Sequence, residues 1–229
     1  MNVDEAVSLA GQRTMLVPEA LSDLWWFARE TSELKGCIVE CGVWKGGSAQ
    51  VMMKAAPTER PFYLYDTFEG MTPPNQEHDD TGTVKLYEKI TSGQYARPYD
   101  RWHKTNKWAY CPLNDVVAYI QTSCPQKRVD QVHYIVGDVT QTLQRTQCVP
   151  PGEIVLLHLD TDFYESTREE LKVLAPKIVP GGYLVVDDYY SFAGSRAATD
   201  RFLQTPLGQE FKHVPDSSRA HLSLQRPEE

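Results

Sequence analysis

Several absences bound what this chain can be. No run approaches the roughly 18 consecutive apolar residues that cross a bilayer. The N-terminal stretch MNVDEAVSLAGQRTM lacks the basic flank and apolar core of a secretory leader. A cytoplasmic location without membrane attachment is the expectation. Positive charge is in short supply: 23 Lys and Arg face 31 Asp and Glu, a net −8 with a pI near 5.3. Neither a nucleic acid nor an anionic membrane is therefore expected as the main partner, and a small molecule fits better. Cysteine is sparse and scattered. Cys37, Cys41, Cys111, Cys124 and Cys148 form no C-x-x-C pair, which argues against both a disulfide framework and a zinc site. Cys37 and Cys41 sit in an apolar run and read as small buried hydrophobes.

What is present is a series of short, nearly continuous apolar runs separated by helical stretches. The runs are CIVEC (37–41), FYLYD (62–66), VHYIVG (132–137), IVLLHLD (154–160) and YLVVD (183–187). Such runs suit strands buried on both faces of a largely parallel sheet covered by helices, an α/β fold. Residues 210–214 and 221–225 add a final pair of strands, giving seven. Helices are expected over 6–9, 18–33, 48–56, 114–122, 167–174 and 196–203. Thr167 and Glu170 have capping-box spacing, which predicts a helix start at Thr167. One domain over 1–229 is expected, with a helical cap over 1–35. Residues 71–110, rich in Pro, Asp, Gly and aromatics and poor in periodicity, read as a lid-like insertion over the site.

Ligands of open α/β sheets bind beyond the carboxyl ends of the strands, where strand order reverses. Three sets of residues fall there. The turn ECGVWKGGS (40–48) joins a strand to a helix, where glycines admit close backbone approach and helix N–H groups suit an anion. It departs from the G-x-G-x-x-G of nicotinamide-binding proteins. Asp66 ends the next strand, at the separation common for an acid that accepts ribose hydroxyls; it is equally suited to cap the turn that follows. Asp160 and Asp162 follow one apolar run and Asp187 and Asp188 follow another. Were the two strands neighbours, four carboxylates would converge and repel unless protons or a hard cation such as Mg²⁺ intervened. Starting turns and helices is the plain alternative for Asp162 and Asp188. His158, inside an apolar run, reads as a core side chain.

The segments ECGVWKGGSAQVMM, LYDTFEGM, VHYIVGDVTQTL, HLDTDFYESTREEL and GGYLVVDDYYSFAGSRAATDRF, in this order, resemble the macrocin O-methyltransferase (TylF-like) family of sugar O-methyltransferases. The resemblance implies a Rossmann-like class I methyltransferase fold that uses S-adenosylmethionine and a divalent metal, Mg²⁺ or a similar cation. It implies that Glu40, Gly42, Gly46, Gly47 and Ser48 frame the methionine end of the cofactor, that Asp66 holds its ribose, and that Asp138 and Val139 lie near its adenine. Thr14 and Met15 match a segment that closes over the cofactor. Asp160, Asp187 and Asp188 match the metal ligands and Asp162 the general base, with His78 or His103 of the insertion as competing bases. Catechol O-methyltransferases, similar in fold and metal logic, have a lysine where this chain has Asp162. A glycosylated natural product is the implied acceptor and a homo-oligomer the implied assembly. Aromatic residues of the insertion, Tyr95, Tyr99, Trp102 and Trp108, are candidates to stack on it. A nicotinamide-dependent oxidoreductase and a non-catalytic binding relative are the alternatives.

Overall fold

The computed structural model describes residues 1–94, 106–215 and 217–228. Among these, seven strands form one sheet: β1 (Cys37–Cys41), β2 (Phe62–Asp66), β3 (Val132–Val136), β4 (Ile154–Leu159), β5 (Ile178–Val186), β6 (Lys212–His213) and β7 (Leu222–Gln225). Their order is β3-β2-β1-β4-β5-β7-β6, with β1 to β5 parallel and the last two pairings antiparallel. The strand order reverses between β1 and β4, so a crevice opens at their carboxyl ends.

The helices are α1 (Val3–Ala10), α2 (Pro18–Glu30), α3 (Gly47–Ala55), α4 (Thr81–Thr91), α5 (Leu113–Ser123), α6 (Gln126–Val129), α7 (Val139–Thr142), α8 (Tyr164–Leu174) and α9 (Ala193–Leu203). Side chains alternate across each strand, and the sheet accordingly has two apolar layers. Ile38, Leu64, Leu156 and Val185 face Phe27 of α2, Met52 of α3 and Ile120 of α5. Val39, Tyr65, Leu157 and Val186 face Leu171 and Leu174 of α8 and Phe202 of α9. All five cysteines are free, and burial pushes the Cys37 thiol up to about 12. No helix among the described residues is long and apolar enough to cross a membrane.

Two local expectations need correction. Helix α8 starts at Tyr164, and Thr167 lies buried inside it. The start is satisfied from a distance, because Asp79 Oδ1 accepts the Tyr164 N–H at 3.0 Å. Glu170 does not reach back to a cap either; it accepts the Thr161 hydroxyl at 3.1 Å. The described part of the insertion, 71–94 and 106–110, also holds more regular structure than its composition suggests. It contains α4, capped by Asp80, whose side chain accepts the Thr83 N–H at 3.0 Å. Ile90, Trp108 and Phe163 form a small apolar cluster that binds the insertion to the start of α8. Asn75 Nδ2 donates to Glu165 Oε1 at 2.9 Å, and the His78 ring packs on Tyr164 with centroids 4.2 Å apart. Tyr95, Tyr99, Trp102 and His103 lie outside the described residues.

Candidate active site at the carboxyl edge of the sheet

The turn after β1 is tied directly to the acid-bearing turn after β4. Asp160 N–H donates to the Cys41 carbonyl at 2.8 Å. Gly42 has φ +89, and a Cβ there would lie 1.7 Å from the Asp160 carbonyl oxygen, so only glycine fits. Asp66 organises the same turn. Its Oδ2 accepts the N–H groups of Val43 and Trp44, both at 2.8 Å, and its Oδ1 accepts the Phe68 N–H at 2.7 Å. Burial raises the Asp66 carboxyl against the opposing pull of these bonds.

A cavity opens beside this turn, lined by residues from the ends of several strands. Of the residues expected from sequence, Met15, Gly42, Asp66, Asp138, Val139, Asp160 and Asp162 line it. Asp138 caps α7, its Oδ1 accepting the Thr140 N–H at 2.8 Å. Thr67 and Gly70, just before the insertion, and Met71 and Thr72 at its start also line the cavity.

Five of the residues expected at the cofactor, Thr14, Glu40, Gly46, Gly47 and Ser48, are not among those that line it. Thr14 accepts the Leu16 N–H through its hydroxyl at 3.1 Å. Gly47 packs under the same segment; a Cβ there would come within 2.6 Å of the Arg13 carbonyl oxygen. Ser48 is buried in the first turn of α3, and Gly46, with φ +81, precedes that helix. Glu40 has one carboxylate oxygen, Oε2, without a hydrogen-bond partner among the described residues. It is fully buried, and its Oε1 meets His158 Nδ1 at 3.1 Å. His158 is correspondingly a partner for a buried acid as well as a core side chain.

The acids of β4 and β5 converge. One carboxylate oxygen from each of Asp160, Asp187 and Asp188 lies within 4.8 Å of the others. Asp188 Oδ2 also accepts the Asp162 N–H at 3.0 Å, holding Asp162 in a left-handed conformation with φ 64. That region is uncommon for a residue with a side chain, though Asp tolerates it better than most. Burial, then the charges of Asp187 and Asp188, push Asp160 well above the usual carboxylate range. Burial and Asp162 do the same to Asp188. Asp187 is pushed up to about 6 by burial and Asp188, and Asp162 up to about 6 by burial, partly opposed by its hydrogen bond to Asp188. Beneath them Glu170, buried against Thr161 and Cys41, is pushed up to about 8. These oxygens make a hard donor set with uncompensated charge, the combination a divalent cation fits.

A family model described as macrocin-O-methyltransferase (TylF) matches residues 13–214. A Streptomyces olivaceus protein, 8-demethyl-8-(2,3-dimethoxy-alpha-L-rhamnosyl)-tetracenomycin-C 4'-O-methyltransferase, is 32% identical over 160 residues, 67% of this chain and 53% of that protein. Demethyldecarbamoylnovobiocin O-methyltransferase of Streptomyces niveus is 26% identical over 181 residues, 75% of this chain and 59% of that one. The chain thus spans little more than half the length of these curated relatives. Among solved structures, the O-methyltransferase NovP matches with a TM-score of 0.72 at 23% identity, covering 94% of this chain and 83% of its own. With a family model matched over nearly its whole length, the chain belongs to the macrocin-O-methyltransferase (TylF) family.

Proposed function

We propose that this chain transfers a methyl group from S-adenosylmethionine to a hydroxyl of a glycosylated natural product, with a divalent cation, Mg²⁺ by the hardness of the ligands, held by Asp160, Asp187 and Asp188. The observation that carries the reading is the meeting of three carboxylate oxygens within 4.8 Å at a turn hydrogen-bonded to the glycine loop. Cation and methyl donor would then share one crevice. The cavity extends from Gly42 and Asp160 to Asp138 and Val139, which suits an elongated nucleoside cofactor. Asp66, though committed to three backbone N–H groups, borders the same cavity and keeps lone pairs for a ribose hydroxyl. A nicotinamide-dependent oxidoreductase gains no support, since neither its glycine pattern nor its family is present.

When bound, the cation supplies Lewis acidity and the sulfonium cofactor supplies the methyl group. The chain's own residues supply position and a proton acceptor. Asp162 borders the cavity beside the cation ligands and accepts the proton of the acceptor hydroxyl. Its backbone, fixed by Asp188, limits where that carboxylate can point. Holding acceptor and donor in line can contribute roughly 7–11 kcal/mol. Met71 and Thr72 border the crevice on the insertion side and would contact the acceptor.

The test is methyl transfer from labelled S-adenosylmethionine to a panel of glycosides bearing vicinal hydroxyls, with Mg²⁺ or with chelator. Transfer should require the cation, and Asp160→Asn should lose it while retaining affinity for S-adenosylhomocysteine. Full turnover by metal-free protein would remove the cation from the mechanism, and failure to bind the cofactor would remove the methyltransferase reading itself.

A further inference from the structure

Behind the acid cluster lies a buried histidine that the catalytic reading does not use. His221 immediately precedes β7, and the register Val186↔Leu222 between β5 and β7 sets it beside Asp187, the residue that follows β5. Its side chain is wholly buried. On one side its Nε2 meets Asp23 Oδ2 at 3.0 Å. That oxygen also accepts the Ser218 N–H at 2.6 Å, so Asp23 acts there as an acceptor and the histidine donates through Nε2. On the other side Nδ1 faces Asp187 Oδ1 at 4.0 Å and has no hydrogen-bond partner. A buried ring nitrogen without a partner is costly. Asp187 is the nearby group able to satisfy it.

We propose that Asp23 and His221 form a positioning pair for Asp187, with His221 held between the two carboxylates as an imidazolium that donates through Nε2 to Asp23 and through Nδ1 to Asp187, so orienting the other Asp187 oxygen toward the cation. The inference rests on the cation reading given above. Its physical basis is that a carboxylate ligand free to rotate gives up binding energy in ordering, whereas one held by a hydrogen bond from behind is oriented in advance. Asp23 belongs to α2, on the N-terminal cap, and His221 to the C-terminal edge of the sheet. The pair therefore makes the helical cap part of the cation site's support, 164 residues away in sequence by the difference between positions 187 and 23. Asp187 feels the ring as well: His221, like His158, opposes the upward push that burial and Asp188 exert on it.

The experiment is a MnCl₂ titration of the full chain, read by the electron paramagnetic resonance of free Mn²⁺, for wild type, His221→Gln and His221→Asn. Gln extends its amide toward the Nε2 position and keeps the Asp23 contact, whereas Asn places an N–H nearer the Nδ1 position. The expectation is that His221→Gln weakens Mn²⁺ binding by roughly 10–100-fold, the range for lost outer partners of metal ligands, and that His221→Asn recovers part of it. S-adenosylhomocysteine affinity, measured in parallel, should stay unchanged in both and reports that the fold is intact. Asp23→Asn, a milder change, should weaken Mn²⁺ in the same direction and covers the case in which a His221 variant does not fold. Equal affinity in wild type and His221→Gln overturns the positioning role, as does an equal loss in both His221 variants. Absence of Mn²⁺ binding in wild type overturns the cation reading together with this one.

Discussion

On the β1–β2 side of the crevice, one carboxylate meets three N–H donors; on the β4–β5 side, four carboxylates meet mainly one another. Asp66 is held by Val43, Trp44 and Phe68, a set of bonds each worth about 1.5–3 kcal/mol when the acceptor is charged. There the charge of Asp66 is met by the protein's own N–H groups. Among the described residues, the carboxylates of Asp160, Asp162, Asp187 and Asp188 share a single backbone N–H donor, from Asp162 to Asp188, and all four carboxyls are pushed upward. The first side is built to shape a cavity wall, and the second is built to hold something positive.

The largest effect expected from breaking this contrast is at Asp162. Asp162→Asn should lower kcat by roughly 10²–10⁴, the range for a lost acid–base group, while Mn²⁺ affinity stays near wild type. An unchanged kcat would move the base to another residue, and a collapse of Mn²⁺ affinity would make Asp162 a ligand.

A smaller effect is expected in stability against pH. Asp162 and Asp187 rise from an ordinary 3.8 to about 6, and Glu170 from 4.5 to about 8. A carboxyl raised in the folded state favours folding when protonated, so its contribution is full below its unfolded value and is lost as pH rises through its folded value. Metal-free protein should therefore melt at falling temperature between about pH 5 and pH 8. A tenfold gain in a carboxyl's proton affinity on folding is worth about 1.4 kcal/mol. Since 1 kcal/mol moves Tm by about 2–4 °C at this size, a fall of at least about 4 °C is expected. Saturating Mg²⁺ should flatten most of that slope. Identical slopes with and without the cation would show that the acid side is no more in need of charge than the Asp66 side.

The two sides also differ in how far they can be read from sequence. Apolar runs ending in Asp66, Asp160 and Asp187 mark strands and their carboxyl ends, because buried parallel strands cannot hide their composition. Gly42 stands out because a strand-to-helix turn with close backbone approach requires glycine. The family that those segments resemble is the family that the chain belongs to. What escapes is whatever depends on partners far away in sequence. Thr167 and Glu170 fit a local capping pattern, yet α8 takes its cap from Asp79, 85 positions before Tyr164. Helix α4 carries a stripe through Thr83, Leu86, Tyr87 and Ile90, diluted on both sides by proline, glycine and polar residues. Glu40 holds the acidic position of the glycine motif, and its partner His158 lies opposite it on β4. His221 and Asp23 carry no local signature at all, since only the antiparallel return of β7 brings them to Asp187.

Anomalous diffraction from crystals grown with MnCl₂ and S-adenosylhomocysteine tests the central claim most directly. The account predicts one Mn²⁺ peak bounded by Asp160, Asp187 and Asp188, with the cofactor in the cavity beside Gly42. A Mn²⁺ peak elsewhere, or acids left protonated and metal-free at saturating Mn²⁺, would contradict it.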